Sequence, residues 1–251
     1  MSADLALGAA ASVGRESEQV PETIRLGLLG AFALNIEGDN VSLPMNGQRV
    51  LAFLALRGRS LTRSFVAGSL WLDSTDDRAA GNLRSALWRL NREGRLVDTS
   101  GEKVGLFSHV EVDIPFAVAQ AHRLLDPSCA DCPALHELAL HDDLLPDWYD
   151  DWIALERERF RQLRMHALER LGDLLISAKR FGEAIEAGLT VARAEPLRES
   201  AHRMLIRAHI AEGNHGEALA EYDRFSTLLR SELGLEPSPE MTALVAAVTG
   251  R

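Results

Sequence analysis

The stretch RAAGNLRSALWRLNRE, residues 78–93, decides the fold of the first half of this 251-residue chain. Its apolar residues recur every three or four positions, which predicts an amphipathic helix from about Arg78 to Glu93. On a helical wheel, the residues that we expect to be buried share one side: Ala79, Ala80, Leu83, Ala86, Leu87 and Leu90. The opposite side is polar.

The polar side of this helix carries a donor stripe of five residues within roughly 80° of arc: Arg78, Asn82, Ser85, Arg89 and Arg92. Every member can donate a hydrogen bond. Arginine can bind guanine edges or phosphate, asparagine can pair with adenine, and serine can reach a phosphate or a base. The stripe therefore predicts a helix that reads the major groove of DNA. The alternative is an ordinary solvated face. Trp88 lies between the stripe and the apolar face, and for it we favour a packing role over contact with a base.

The segments before this helix predict a small sheet and two further helices. Short apolar runs between Ile24 and Leu43, broken by Gly30 and by residues 37–40, are typical of strands and hairpins. Asn46 is a candidate cap for a first helix that stops at Gly58. Thr62 is the corresponding cap for a second helix.

A β-hairpin is predicted after the third helix, from Leu96 to Val112, with its tip at Ser100 and Gly101. Lys103, near the tip, is a candidate phosphate contact. Helices followed by a hairpin are the arrangement in which a recognition helix and a minor-groove wing are presented together. This order predicts an α+β winged helix-turn-helix domain over residues 24–114.

Charge is distributed unevenly along the chain. The formal net charge is −10, which alone argues against nucleic acid as a partner. Residues 45–103, however, hold ten Arg or Lys against six acids, whereas residues 115–251 hold 15 basic and 23 acidic residues. This asymmetry is typical of a basic DNA-reading module joined to an acidic module that contacts proteins.

The second half contains an internal repeat. Residues 167–200 and 201–234 align at a period of 34, with Leu171 matching Leu205 and the Gly-Glu-Ala triplet at 182–184 matching 216–218. This period predicts tetratricopeptide-like helix pairs. A single repeat cannot bury its own face, so we expect flanking helices over residues 152–176 and 241–248. An all-α helical-repeat domain is thus predicted over residues 115–251.

Other classes of protein find little support in the sequence. Residues 1–23 are expected to form a flexible tail, since they lack the basic region of a secretory signal. Without a long apolar run, no membrane span is predicted, and we expect a cytoplasmic protein. Four residues could in principle bind zinc, but their spacing fits no common finger and their role stays open: Cys129, Cys132, His136 and His141. The sequence predicts no catalytic site, metal site or cofactor, because it lacks nucleotide-loop, hydrolase and metalloprotease motifs.

Several motifs resemble the Streptomyces antibiotic regulatory protein (SARP) family, in which an OmpR-type winged helix precedes a bacterial transcriptional activator domain. They are IRL at 24–26, LW at 70–71, NLRSALWRL at 82–90, LLP at 144–146, EPLRE at 195–199 and ELGLEPSPE at 232–240. The resemblance covers nearly everything from Ile24 onward. It implies activation of a gene cluster, often for a secondary metabolite, through direct repeats near the promoter and recruitment of RNA polymerase holoenzyme.

These observations together predict a transcriptional activator and no enzyme. Its partners would be double-stranded DNA, read by the stripe and by Lys103, and RNA polymerase or a second protomer, contacted by the repeat domain. Two alternatives place the function in the repeat domain instead. One is a protein-protein adaptor, and the other is a regulator that senses a small ligand.

Overall fold

The fold is described from a computed structural model that covers residues 23–129 and 133–249. The predicted tail therefore lies outside the described residues, apart from Thr23. The strands are β1 (Ile24–Gly27), β2 (Ala33–Ile36), β3 (Asp39–Asn40), β4 (Leu61–Thr62), β5 (Val97–Asp98), β6 (Lys103–Leu106) and β7 (Val110–Val112). The helices are α1 (Met45–Arg57), α2 (Arg63–Leu70), α3 (Asp76–Glu93), α4 (Asp113–Leu125), α5 (Asp151–Ser177), α6 (Phe181–Ala194), α7 (Glu199–Glu212), α8 (His215–Leu233) and α9 (Pro239–Thr249).

The first half of the chain is an α+β winged helix-turn-helix fold, as predicted. It contains three helices, α1 to α3, a four-stranded sheet of order β3-β2-β1-β7 and a three-stranded sheet of order β4-β6-β5. The wing is the antiparallel β5–β6 hairpin, in which Asp98 pairs with Gly105. Gly101, at the predicted tip, has a φ of 73°, a conformation that glycine adopts without steric cost.

Three boundaries in this half differ from the prediction. Helix α1 begins at Met45 after Pro44, not at a cap formed by Asn46, because the proline cannot donate and its carbonyl accepts the first-turn amides. Helix α3 begins two residues before Arg78, where Asp76 and Asp77 favour the positive end of the helix dipole. The predicted hairpin ends at Leu106, because β7 leaves it and pairs parallel with β1.

The second half is an all-α helical repeat, as predicted. Helices α6 and α8 begin 34 residues apart, at Phe181 and His215. The turns that precede them are also equivalent, since Lys179 and Gly213 lie 34 residues apart and both have left-handed backbone, with φ of 60° and 91°. The predicted flanking helices correspond to α5 and α9.

Residues 133–150 form a largely irregular segment within the domain that was predicted to be all-α. Only Leu135–Glu137 forms a short 3-10 helix, so His141 lies in coil. Arginines of α5 bind the carbonyls of this segment: Arg157 donates to Leu144, Leu145 and Trp148, and Arg164 donates to His141 at 2.8 Å. These carbonyls have no helical amide partners, and the two arginine side chains supply donors in their place.

Arg164 is also buried and paired with the carboxylate of Asp143. Burial lowers the pKa of the Arg164 guanidinium, and the neighbouring Asp143 charge opposes this shift.

The two halves share one hydrophobic core, which runs from Ile24 in β1 to Ala208 in α7. A smaller cluster between α7, α8 and α9 centres on Phe225. None of the helices formed by the described residues is long and apolar enough to cross a membrane.

The chain that follows β1 joins the halves through polar contacts. The carboxylate of Asp113, at the start of α4, accepts hydrogen bonds from the amides of Leu28 and Leu29 at 2.8 and 2.9 Å. On the other side, the Leu145 amide donates to the Leu28 carbonyl at 2.9 Å, and Leu29 forms a β-bridge with Leu144. The end of β1 is thus bound to α4 and to the 133–150 segment at once.

Asp113→Ala would leave the Leu28 and Leu29 amides without this acceptor. We expect it to lower the free energy of unfolding by about 2 to 4 kcal/mol, since two part-buried amides lose their acceptor and a fully buried one would cost roughly 1 to 3 kcal/mol. Asp113→Asn keeps an acceptor oxygen and should lose far less. Urea denaturation measures both variants, and equal losses would show that the two hydrogen bonds do not stabilise the fold.

Gly213→Ala places a side chain on left-handed backbone at the second repeat turn. We expect a loss of about 1 to 2 kcal/mol in the free energy of unfolding. Gly216→Ala is the matched control, since it lies in the first turn of α8 with open space around an added Cβ. It should be neutral or stabilise by up to about 1 kcal/mol. The same denaturation measurement tests this pair, and a harmless Gly213→Ala would contradict the strain assigned to this turn.

Candidate nucleic-acid interface

Helix α3 is fixed by its apolar face. Five of the six residues that we expected to be buried are buried: Ala79, Leu83, Ala86, Leu87 and Leu90. The sixth, Ala80, is half-buried. Helices α1 and α2 both pack against α3. The helix therefore presents a defined opposite face to solvent.

The donor stripe lies on the exposed side of α3. Arg78, Ser85, Arg89 and Arg92 are exposed, whereas Asn82 is half-buried. The Ser85 hydroxyl donates to the Gly81 carbonyl at 3.0 Å, so its oxygen is oriented as an acceptor in this structure.

One side of the stripe borders a groove of about 230 Å³ between α3 and the beginning of α1. Asn82, Ser85 and Arg89 line it from α3, and Pro44, Asn46 and Gly47 line it from the other side. The positive end of the α1 dipole favours an anion near this groove.

The cations of α3 and of the wing are held away from carboxylates. Over residues 23–129 and 133–249, none of the ion pairs within 4.0 Å involves any of the following cations: Arg78, Arg84, Arg89, Arg92 and Lys103. By contrast, Arg49 and Arg57 of α1 are paired with Asp150 and Glu156 of the second half. Five cations of α3 and the wing thus form none of these ion pairs, and the same holds for Arg59, Arg63 and Arg95 elsewhere in the winged helix.

Lys103 lies on the wing and not beside the stripe. It is exposed and pairs in register with Thr62, immediately before α2. The Arg63 guanidinium donates to the carbonyls of Thr99 and Gly101 at 2.8 and 3.4 Å, and thereby ties the wing tip to the first turn of α2. Sequence reasoning missed this role of Arg63, because an arginine at a helix start gives no indication of a carbonyl partner 36 residues away.

The wing tip is also stabilised from within. Ser100 donates to the Asp98 carboxylate through its hydroxyl at 2.6 Å and through its amide at 2.9 Å. These two hydrogen bonds lower the pKa of Asp98. The ionised carboxylate of Asp98 is thus the acceptor that holds this turn.

The predicted packing role of Trp88 is wrong. Its residue surface is 61% exposed, and the Arg92 guanidinium lies 4.9 Å from its ring centroid. On the wheel Trp88 lies about 140° from Leu83, which is too far from the apolar face for packing. Arg84, on the same side and exposed, was also left out of the stripe.

The zinc alternative finds no support in the residues that the structure describes. Cys132 lies outside them, and no three potential metal ligands come together among the others. The His141 Nε2 atom lies 3.0 Å from the Leu135 carbonyl, which gives this ring a structural partner.

The comparisons with known proteins agree with this architecture. The model of the bacterial transcriptional activator domain matches residues 131–249. The regulatory protein AfsR of Streptomyces coelicolor is 27% identical in a 244-residue alignment that covers 90% of this chain and 24% of AfsR. AfsR of Streptomyces griseus is 26% identical in a 236-residue alignment that covers 89% of this chain and 24% of the relative. The chain spans about a quarter of the length of these curated relatives.

A solved structure shares the fold. Mycobacterium tuberculosis EmbR, determined in complex with a low affinity phosphopeptide, superposes with a TM-score of 0.68 at 21% identity. The superposition covers 91% of this chain and 65% of EmbR. The activator-domain match and the similarity to the AfsR proteins support a transcriptional regulator similar to the SARP family, and EmbR shows that the fold is shared.

Proposed function

We propose that the chain is a sequence-specific DNA-binding activator that acts in the cytoplasm. In this proposal Arg78, Asn82, Ser85, Arg89 and Arg92 enter the major groove, and Lys103 brings the wing to the minor groove. The observation that carries the proposal is the set of cations on α3 and the wing that form no ion pair with any carboxylate that the structure describes. Residues 115–251, which hold the excess of acids, would face proteins.

Charge pairing explains how an acidic protein could bind a polyanion. Arginines of the second half are largely occupied by carboxylates, for example Arg198 by Glu169 at 2.6 Å and Arg207 by Asp173 at 2.7 Å. Cations without such partners are free to replace the counterions of DNA phosphates. The net charge of −10 therefore opposes DNA binding less than its value suggests.

The division into a reader over residues 24–114 and an effector over residues 115–251 is part of the proposal. Two ion pairs, from Arg49 to Asp150 and from Arg57 to Glu156, support a fixed orientation between them. A reader held in this way would place the effector at a constant position beside the promoter.

Target and partners follow from the resemblance to the family and to AfsR. The chain would bind direct repeats near the promoters of a secondary-metabolite gene cluster, and a second protomer would occupy the second repeat. The effector would then recruit RNA polymerase holoenzyme.

Replacement of two stripe arginines, in the double variant Arg89→Ala and Arg92→Ala, should weaken binding to upstream duplex roughly tenfold or more. The slope of log affinity against log salt should fall by about one for each phosphate that the variant no longer neutralises. Fluorescence anisotropy over a salt series measures both quantities.

The matched control also removes two positive charges, but from the second half of the chain. It combines Arg123→Ala on α4 with Arg193→Ala on α6. This control should leave affinity and slope unchanged. A stripe variant that binds like the wild type would contradict the assignment of the stripe. If the wild type fails to bind duplex even at about 50 mM salt, the adaptor function is favoured instead.

Activation is tested by transcription in vitro with purified holoenzyme and a promoter that the chain binds. Addition of the wild type should raise the amount of transcript, whereas the double stripe variant should not. The control variant on α4 and α6 should activate fully. If the wild type binds the promoter but leaves transcription unchanged or lowers it, recruitment by the effector is wrong even though DNA reading is right.

A further inference from the structure

Trp88 is the largest side chain on the exposed side of α3, and the DNA-reading stripe does not use it. Single exposed apolar residues are common on protein surfaces and need no explanation by themselves. Trp88 differs because it lies on the candidate reading helix, between two arginines that form no ion pair among the described residues: Arg84 and Arg92.

On the helical wheel, Trp88 lies farther from the buried face of α3 than Asn82 does, although Asn82 belongs to the stripe. It lies about 155° from the centre of the buried face on the wheel, whereas Asn82 lies only about 85° away. The structure agrees, since Asn82 is half-buried beside the beginning of α1 and Trp88 is 61% exposed. A groove entered by Arg92 would therefore also receive Trp88.

Arg92 restricts how the indole can be used. Its guanidinium covers the ring at 4.9 Å from the centroid, a distance typical of a cation–π contact. The ring is thus held against α3, and its uncovered face and edge are available to a ligand. Because the ring lies between two arginines, a ligand that contacts it should carry anionic groups for the arginines and an apolar group for the ring.

We propose that Trp88 reads thymine through an apolar contact with its 5-methyl group in the major groove. This inference rests on the proposed DNA-binding function and deepens it. The 5-methyl of thymine is the apolar group that the base pairs display in that groove. A dry protein partner fits less well, because Arg84 and Arg92 would be buried with it and would need carboxylates, whereas phosphates lie on both sides of the groove.

A thymine-to-uracil scan tests the contact without changing base pairing. Uracil lacks only the 5-methyl group, so each thymine of the bound site is replaced in turn and affinity is measured at one salt concentration. For the wild type, one substitution in each repeat should weaken binding roughly fourfold, the value expected for one buried methyl-sized group. For Trp88→Ala, the same substitution should have no effect.

Two further variants complete the experiment. Leu72→Ala removes an apolar side chain that is 69% exposed between α2 and α3, and it should respond to uracil like the wild type. Trp88→Phe keeps an apolar ring and should retain part of the response. Because Trp88 is exposed, its variants should melt like the wild type, which thermal denaturation verifies.

The outcomes separate the two levels of the proposal. If the wild type binds its site but no uracil substitution weakens it, or if Trp88→Ala responds as the wild type does, the thymine contact is wrong and DNA reading by the stripe stands. If the wild type binds no duplex, the proposed function fails, and this inference fails with it.

Discussion

The carboxylate of Asp113 is the contact on which the arrangement of the two halves depends. It fixes the amides of Leu28 and Leu29 where β1 ends, and the same residues pair through their backbone with Leu144 and Leu145. Backbone groups that leave a sheet must find partners elsewhere when they are buried. Here they find them in α4 and in the segment before α5, so the winged helix and the repeat are joined at the level of the main chain.

The junction between the two halves also explains how the basic residues are used. The ion pairs of Arg49 and Arg57 lie between the two halves, whereas the cations of α3 and of the wing have no carboxylate within ion-pair distance among the described residues. Basic residues thus serve two purposes, since some hold the halves together and others remain available for a polyanion. Total charge does not distinguish these purposes, but the pairing of individual side chains does.

Periodic features could be predicted from the sequence, and irregular ones could not. The buried face of α3 and the 34-residue repeat follow from spacing, because every turn of a helix and every repeat must bury the same positions. The coil at residues 133–150 could not be foreseen, since its carbonyls are bound by Arg157 and Arg164, which come later in the chain. The parallel pairing of β7 with β1 likewise depends on a partner more than 80 residues away.

The candidate site was predictable to a similar degree. The wheel identified the exposed arginines of the stripe, and it placed Trp88 between the stripe and the apolar face. The packing role was expected because a large apolar side chain favours burial in general. The structure shows that Trp88 is exposed and that Arg92 covers its ring. The exposed aromatic residue, together with the half-buried Asn82, shifts the centre of the reading face toward Trp88 and Arg92.

The central claim is that α3 and the wing bind DNA while the repeat remains outside the contact. Hydrogen–deuterium exchange of the full chain, with and without a duplex from its target promoter, tests it most directly. We expect slower exchange in residues 76–106 on DNA binding and unchanged exchange in α7 and α8. Protection confined to α7 and α8, with residues 76–106 unaffected, would contradict it.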